Sequence, residues 1–202
     1  SIKLPLIGAY QAANALTACG LAIATGGTRG QILDAANRLQ PVRGRLERAA
    51  ISAKGAPVYV DYAHTPDALE AAIAALRPHV EGRLITVFGA GGDRDRGKRG
   101  PMGYAVGELA DVAIVTSDNP RTEDPAVIAE AVAEGVRAAG CEPLLVLDRK
   151  LAIRTALEKA DERSLVLVAG KGHEAYQTIG TERLPFSDQQ VVRVLGRELS
   201  CR

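Results

Sequence analysis

From residue 45 onward, short apolar runs and amphipathic segments take turns along the chain. "PVYVD", "LITVF", "VAIVT" and "SLVLVA" are near-continuous apolar stretches of strand length. Between them, as in "PDALEAAIAAL" and "PAVIAEAVAEGVRAA", apolar residues recur every three or four positions. Unbroken apolar strands must be covered on both faces, and amphipathic helices do the covering. The pattern predicts strands over 45–51, 56–63, 83–90, 111–118, 143–148, 164–170 and 183–188. It predicts helices over 66–79, 98–110, 124–140, 149–160 and 189–199. Such alternation is the signature of an α/β fold with a doubly wound, mostly parallel sheet and helices on both faces.

Residues 1–41 read differently. A helix over 12–25 ends at Gly26-Gly27, and a second over 29–39 puts Ile32, Leu33, Ala36 and Leu39 on one face before Pro41 stops it. Two helices with no sheet of their own read as the end of a domain whose start lies upstream. The expected division is 1–41 and 42–202.

Composition narrows the function classes. Of 202 residues, 47% are hydrophobic and 24% charged, with a net charge of +1. That balance offers no electrostatic case for nucleic acid or an anionic membrane surface. No apolar run reaches the length of a membrane span, and the opening residues lack a secretory pattern. Cys19, Cys141 and Cys201 form no C-x-x-C pair or Cys/His cluster, so neither a disulfide framework nor a metal site is expected. A reducing cytosol is the natural compartment.

In a doubly wound sheet, ligands bind off the carboxyl ends of the strands. Four polar segments fall there: "DYAHTPD", "GAGGDRDRGKRG", "SDNPRTEDP" and "AGKGHE". Gly92 to Lys98 spells the start of a phosphate loop, but Arg99 stands where Ser or Thr belongs, and Asp93 and Asp95 would repel phosphate. The loop suits a small zwitterion, with arginine for the carboxylate and acids to align the arginines; the alternative is a self-paired surface loop. "SDNPRTEDP" sets Asp118, Asn119 and Arg121 on a turn stiffened by Pro120. Arginine clamps a carboxylate, and Asp or Asn holds an ammonium or amide; the alternative is an Asx-turn leading to a helix capped near Asp124. In "AGKGHE", a glycine-flexible loop offers Lys171, His173 and Glu174; the glycines permit close approach and Glu174 can hold an amine, or the segment is a strand-to-helix turn with solvated charges. His173 has no nucleophile beside it in sequence and reads as structural or hydrogen-bonding. In "DYAHTPD", Asp61 is placed for a ribose hydroxyl, while Thr65, Pro66 and Asp67 form a helix N-terminus; both readings hold together. Tyr62 reads as core.

Taken in order, these segments resemble the C-terminal domain of the Mur ligase family, in its meso-diaminopimelate-adding form. "LIGAYQAANALTA" resembles the end of that family's central ATP-binding domain, and "PVRGRLE" resembles the junction. The resemblance covers essentially the whole chain. It implies a Rossmann-like domain that binds the incoming amino acid, preceded by a helical remnant of the central domain. It implies ATP-dependent ligation of meso-diaminopimelate to a UDP-muramoyl-dipeptide through an acyl phosphate, in the bacterial cytoplasm. By motif match, Arg94, Asp118, Asn119, Arg121, Gly170 and Glu174 would bind the amino acid. Asn14, Arg45, Asp61 and His64 would approach the nucleotide. Neither a catalytic residue nor a metal ligand is expected in this chain: the family's phosphate loop, its Mg²⁺ ligands, its carbamylated lysine and its N-terminal domain are not in it. Lysine-adding and D-Ala-D-Ala-adding Mur ligases and folylpolyglutamate synthetase are the alternatives. Arg43, Arg96 and Gly100 depart from the family's commoner pattern.

Overall fold

The computed structural model describes Leu4 and residues 6–201. The chain divides into two compact units, residues 1–42 and 43–202. In the first, α1 (Ala9–Ala24) packs against α2 (Arg29–Ala36). Ala15, Cys19 and Ala36 are buried there, while Leu16 and Leu21 are more than 60% exposed.

The second unit is built on six strands: β1 (Glu47–Ile51), β2 (Pro57–Asp61), β3 (Leu84–Phe88), β4 (Val112–Val115), β5 (Leu144–Leu145) and β6 (Leu165–Ala169). They form one sheet in the order β1-β2-β6-β3-β4-β5. β1 is an antiparallel edge strand with a bulge between Arg48 and Ala50, and every other neighbouring pair is parallel. β3 and β6 are buried at every position, which is why they read as unbroken apolar runs. β5 shrinks to two residues because it only edges the sheet beside β4.

Helices α3 (Pro66–Leu76), α4 (Arg99–Leu109) and α5 (Pro125–Ala138) form one packed layer; α6 (Arg149–Lys159) and α7 (Asp188–Ser200) form another. Against the α6–α7 layer lie Val58, Val60, Ile85, Val87, Val166 and Val168, meeting Ile153, Leu157, Val192 and Leu195. The alternate sheet positions, Leu84, Phe88, Leu165 and Leu167, are equally buried, as are Leu69, Ile73, Met102 and Val132 of the α3–α5 layer.

Local chemistry starts the helices where expected. Thr65 caps α3 by accepting from Ala68 N, with Pro66 in the first turn. Asp124 caps α5 and Asp148 caps α6 in the same way. Helices α4 and α5 meet backbone to backbone: a Cβ on Gly103 would lie 1.9 Å from Val132 O.

One element departs from the sequence reading. The expected strand at 183–188 is half of an antiparallel hairpin, β7 (Tyr176–Ile179) with β8 (Glu182–Pro185), separate from the main sheet. No residue of either strand is fully buried, so no apolar alternation announced β7.

The chain leaves β3 toward β4 and leaves β6 toward the hairpin. The loops that follow β2, β3, β4 and β6 all leave from the carboxyl ends of parallel strands, the edge where such sheets bind ligands.

Candidate functional site

The four segments singled out in the sequence do converge at that edge. Gly170 N and Gly172 N donate to Asp61 O, joining the loops after β6 and β2. Gly92 N donates to Asn119 O, joining the loops after β3 and β4. Lys98 Nζ donates to His64 O at 3.0 Å, joining the loops after β3 and β2.

Arg121 sits where the second and third loops meet the hairpin. Its φ is +52°, in the left-handed region that non-glycine residues rarely enter. The strain is held from both sides: Arg121 N donates to Thr178 O at 3.1 Å, and Gly180 N donates to Arg121 O at 2.7 Å. The guanidinium Nη1 donates to Gly92 O at 2.6 Å. Its Nε and Nη2 have no protein partner among the described residues. Arg94, in the neighbouring loop, is exposed and likewise has no partner among the described residues.

The arginine loop is aligned by an acid from outside it. Glu123 Oε1 accepts from Asp93 N at 2.6 Å and from Arg99 Nη2 at 2.8 Å, and Oε2 pairs with Arg96 at 3.1 Å. In return the Asp93 carboxylate accepts from Thr122 N and Thr122 Oγ1. The hydrogen bond from Arg99, then that from the Asp93 amide, holds the Glu123 carboxyl below its ordinary range. Among the described residues, then, Asp93 and Asp95 do not align the arginines as the sequence reading expected, and Asp95 accepts from Gly97 N alone.

The third and fourth loops share a buried polar knot. Asp118 and Asn119 are each 6% exposed, and Lys171 is wholly buried. Asn119 Oδ1 accepts from Lys171 Nζ at 3.0 Å and from Thr178 N at 2.9 Å, while Nδ2 donates to Glu174 Oε2 at 3.1 Å. Lys171 Nζ also reaches Glu174 Oε2 at 3.3 Å and Asp118 Oδ1 at 3.6 Å. Glu174 Oε1 has no partner among the described residues. Gly170 has φ +115°, and a Cβ there would lie 2.5 Å from Asp118 Oδ2, so only glycine brings this backbone against the carboxylate.

Beneath this knot lies a fully buried ion pair. Arg149, the first residue of α6, donates from Nε and Nη2 to the two oxygens of Asp188, both at 2.8 Å, and from Nη2 to Ala169 O. Burial works against the guanidinium, but the charges of Asp188, Asp118 and Glu174 more than offset it and raise its pKa.

The residues expected on the nucleotide side fall into both units. Asn14 is exposed on α1. In the second unit, Arg45 stacks on Tyr62 with its guanidinium carbon 4.9 Å from the ring centre, and the rings of His64 and His173 lie 4.6 and 5.2 Å from Tyr62. Tyr62 is thus half-exposed in a cation–aromatic cluster, not a core residue as its sequence context suggested. Of the structural or hydrogen-bonding role expected of His173, the exposed ring shows packing against Tyr62 and makes no hydrogen bond among the described residues. Asp61 is buried; its Oδ2 accepts from Leu46 N at 2.7 Å and Oδ1 from Ala63 N at 2.8 Å, so it pins the start of β1 to the end of β2.

Residues 44–172 match the family described as Mur ligase, glutamate ligase domain. The chain belongs to the Mur ligase family. A relative from Zymomonas mobilis subsp. mobilis, named UDP-N-acetylmuramoyl-L-alanyl-D-glutamate–2,6-diaminopimelate ligase, is 56% identical over 198 residues, 95% of this chain and 40% of its own length. A relative of the same name from Caulobacter vibrioides is 51% identical over 190 residues, 93% of this chain and 38% of its own. A solved structure of a ligase with that name superposes with a TM-score of 0.75 at 38% identity, over 98% of this chain and 40% of the other. The folylpolyglutamate synthase of Mycobacterium tuberculosis shares the fold, with a TM-score of 0.66 at 24% identity over 100% of this chain and 42% of its own. The chain spans about 40% of the length of the curated relatives it matches.

Within this Mur ligase domain, sequence reasoning gave no specific role to Lys171, Glu123 or Arg149. Lys171 lay inside a quoted motif, and its flanking glycines were the signal that its side chain could turn inward. Glu123 followed "DNPRT" and was indistinguishable from a solvated acid. Arg149 opened a helix beside its cap and carried no signal at all.

Proposed function

We propose that this chain is the amino-acid-binding part of a ligase that adds meso-diaminopimelate to UDP-N-acetylmuramoyl-L-alanyl-D-glutamate in peptidoglycan precursor synthesis. The observation that carries the reading is the pairing of two open groups on fixed supports. Arg121 is anchored through Nη1 on Gly92 O, with Nε and Nη2 left over. Glu174 is anchored through Oε2, with Oε1 left over.

A carboxylate and an ammonium on one carbon need such a donor and acceptor. In this reading Arg121 and Arg94 take the distal carboxylate of diaminopimelate. Glu174 and the Gly170 backbone take its distal ammonium end, and Asp118 and Asn119 line the pocket around it. Lysine has no distal carboxylate, so it would leave the half-buried Arg121 fork unpaired and be rejected. Holding the distal end fixes where the near amine lies for attack on the activated dipeptide carboxylate.

ATP with Mg²⁺, when bound, supplies the phosphoryl group that converts that carboxylate to an acyl phosphate. On this chain the reading gives Arg45, Asp61 and His64, with Asn14, to the nucleotide. Arg45 fits through its exposed guanidinium, and Asp61 through the lone pairs its two backbone bonds leave over. Among the described residues no group of three or more His, Cys, Asp or Glu could hold a metal. The reading assigns the Mg²⁺ ligands and the dipeptide site to other parts of a longer protein, with residues 1–41 as the end of its ATP-binding domain. Among the described residues no helix is long and apolar enough to cross a membrane, and the reading sets the reaction in the bacterial cytoplasm, where ATP is supplied.

The test is ADP release by the full-length protein carrying this chain, given UDP-muramoyl-dipeptide, ATP and Mg²⁺. Release should require diaminopimelate, and the 202-residue chain alone should give none. Equal turnover with L-lysine would overturn the selectivity, and turnover by the chain alone would overturn the division of labour.

A further inference from the structure

The functional reading leaves the buried charge of Lys171 without a role. Lys171 is 0% exposed, and its ammonium is reached by no water in that position. An ammonium so desolvated persists only with close acceptors, and removal of those acceptors leaves it uncompensated. Its partners are Asn119 Oδ1 at 3.0 Å, Glu174 Oε2 at 3.3 Å and Asp118 Oδ1 at 3.6 Å, with the Tyr176 ring centre 5.8 Å away. Each of the three polar partners is a residue assigned above to the amino-acid end.

The hydrogen-bond inventory shows what this arrangement enforces. An ammonium and a backbone N–H can only donate. Asn119 Oδ1 faces one of each, Lys171 Nζ and Thr178 N, so the amide cannot flip. Its Nδ2 must then face Glu174 Oε2, where the structure has it at 3.1 Å. Glu174 Oε2 thereby receives two donors, and Oε1 is the oxygen left for a ligand. Lys171 also changes the charge of the pocket. Asp118 and Glu174 alone present two negative charges to one ammonium; with Lys171 they present a net of one.

We infer that Lys171 is a positioning residue for substrate recognition. It fixes the sense of the Asn119 amide, commits Glu174 Oε2 to the protein, and leaves Oε1 as the acceptor for the ammonium of the incoming amino acid. The inference rests on the reading of the site as an amino-acid site. It assigns Lys171 no contact with the substrate: the residue acts through Asn119 and Glu174.

A purely structural lysine and a positioning lysine separate in kinetics. The full-length protein is assayed with diaminopimelate, ATP and UDP-muramoyl-dipeptide, each varied in turn, as wild type, Lys171→Met, Glu174→Gln and the double variant. Lys171→Met should raise the KM for diaminopimelate about 10- to 100-fold, the range for losing hydrogen bonds to a charged group, with the KM for ATP and kcat nearly unchanged. The double variant should lose no more than Glu174→Gln alone, because both changes remove one recognition element. It also removes both charges, so it stays foldable if Lys171→Met alone leaves Glu174 uncompensated and unfolds. Losses that multiply in the double variant, or a KM for ATP that rises in step with that for diaminopimelate, would overturn the inference. So would a Lys171→Met enzyme with wild-type KM for diaminopimelate. A wild type that uses no diaminopimelate brings down the functional reading and this inference with it, whereas an active wild type with indifferent variants brings down only the inference.

Discussion

Arg121 Nη1 donates to Gly92 O at 2.6 Å, across 29 residues of chain. This bond does for the guanidinium what the Lys171 cluster does for Glu174. One arm of the side chain is spent on the protein so that the rest has a fixed direction.

Arg121→Ala in the full-length protein should cost about 2–4 kcal/mol in kcat/KM for diaminopimelate, the scale of a charge-assisted bidentate pair. Arg121→Lys should recover little of it, because one ammonium cannot hold Gly92 O and a carboxylate with the geometry of a planar fork. Activity with L-lysine should stay where it was. Steady-state kinetics with the two amino acids in parallel make the check; unchanged diaminopimelate kinetics in Arg121→Ala would remove the clamp assignment.

Glu123→Gln should loosen the loop that carries Arg94, and the effect should depend on pH. The folded Glu123 carboxyl titrates below its ordinary value. A depressed carboxyl stabilises the fold above its unfolded pKa, about 4.3, and that stabilisation is lost as pH falls through the folded value. Wild type should therefore melt above Glu123→Gln at neutral pH, and the two melting curves should converge in acid. A gap that stayed constant down to about pH 3, well under the ordinary carboxylate range, would mean the Arg99 and Asp93 bonds do not produce it.

Arg149→Met should destabilise the chain by about 3–5 kcal/mol, because it strands the buried Asp188 carboxylate. Replacing both partners, as Arg149→Met with Asp188→Leu, should restore most of the loss. Urea unfolding of the 202-residue chain reads both. A double variant as unstable as the single one would show that the pair does more than neutralise itself.

Gly103→Ala should cost about 1–3 kcal/mol, since its Cβ would meet backbone rather than a side chain that can move. Gly20→Ala, which meets nothing within 4 Å, should cost nothing comparable. Thermal melts of the two variants beside wild type decide it; equal melting temperatures would show that α4 and α5 separate at little cost.

The strands, their order of appearance, the capped helices and the loops at one edge were legible in the sequence by itself. β3 and β6 are buried at every position, so burial wrote itself as an apolar run. Thr65 and Asp124 cap by bonds within three residues, so their chemistry is local and readable; Asp148 caps in the same way, though the sequence reading did not name it. Arg121, Asp118, Asn119 and Glu174 could be picked out because rigid turns and glycines surround them. What only the tertiary structure decided is how those charges are paired. Lys171 finds Asn119 across 52 residues, Arg149 finds Asp188 across 39, and Arg99 finds Glu123 across 24. No local period encodes such a meeting, because the sheet order, not chain distance, determines which loop ends touch. Strand β7 escaped for the opposite reason: with no fully buried residue there was no periodicity to read, and its bonds to Arg121, Asn119 and Asp118 give it a place.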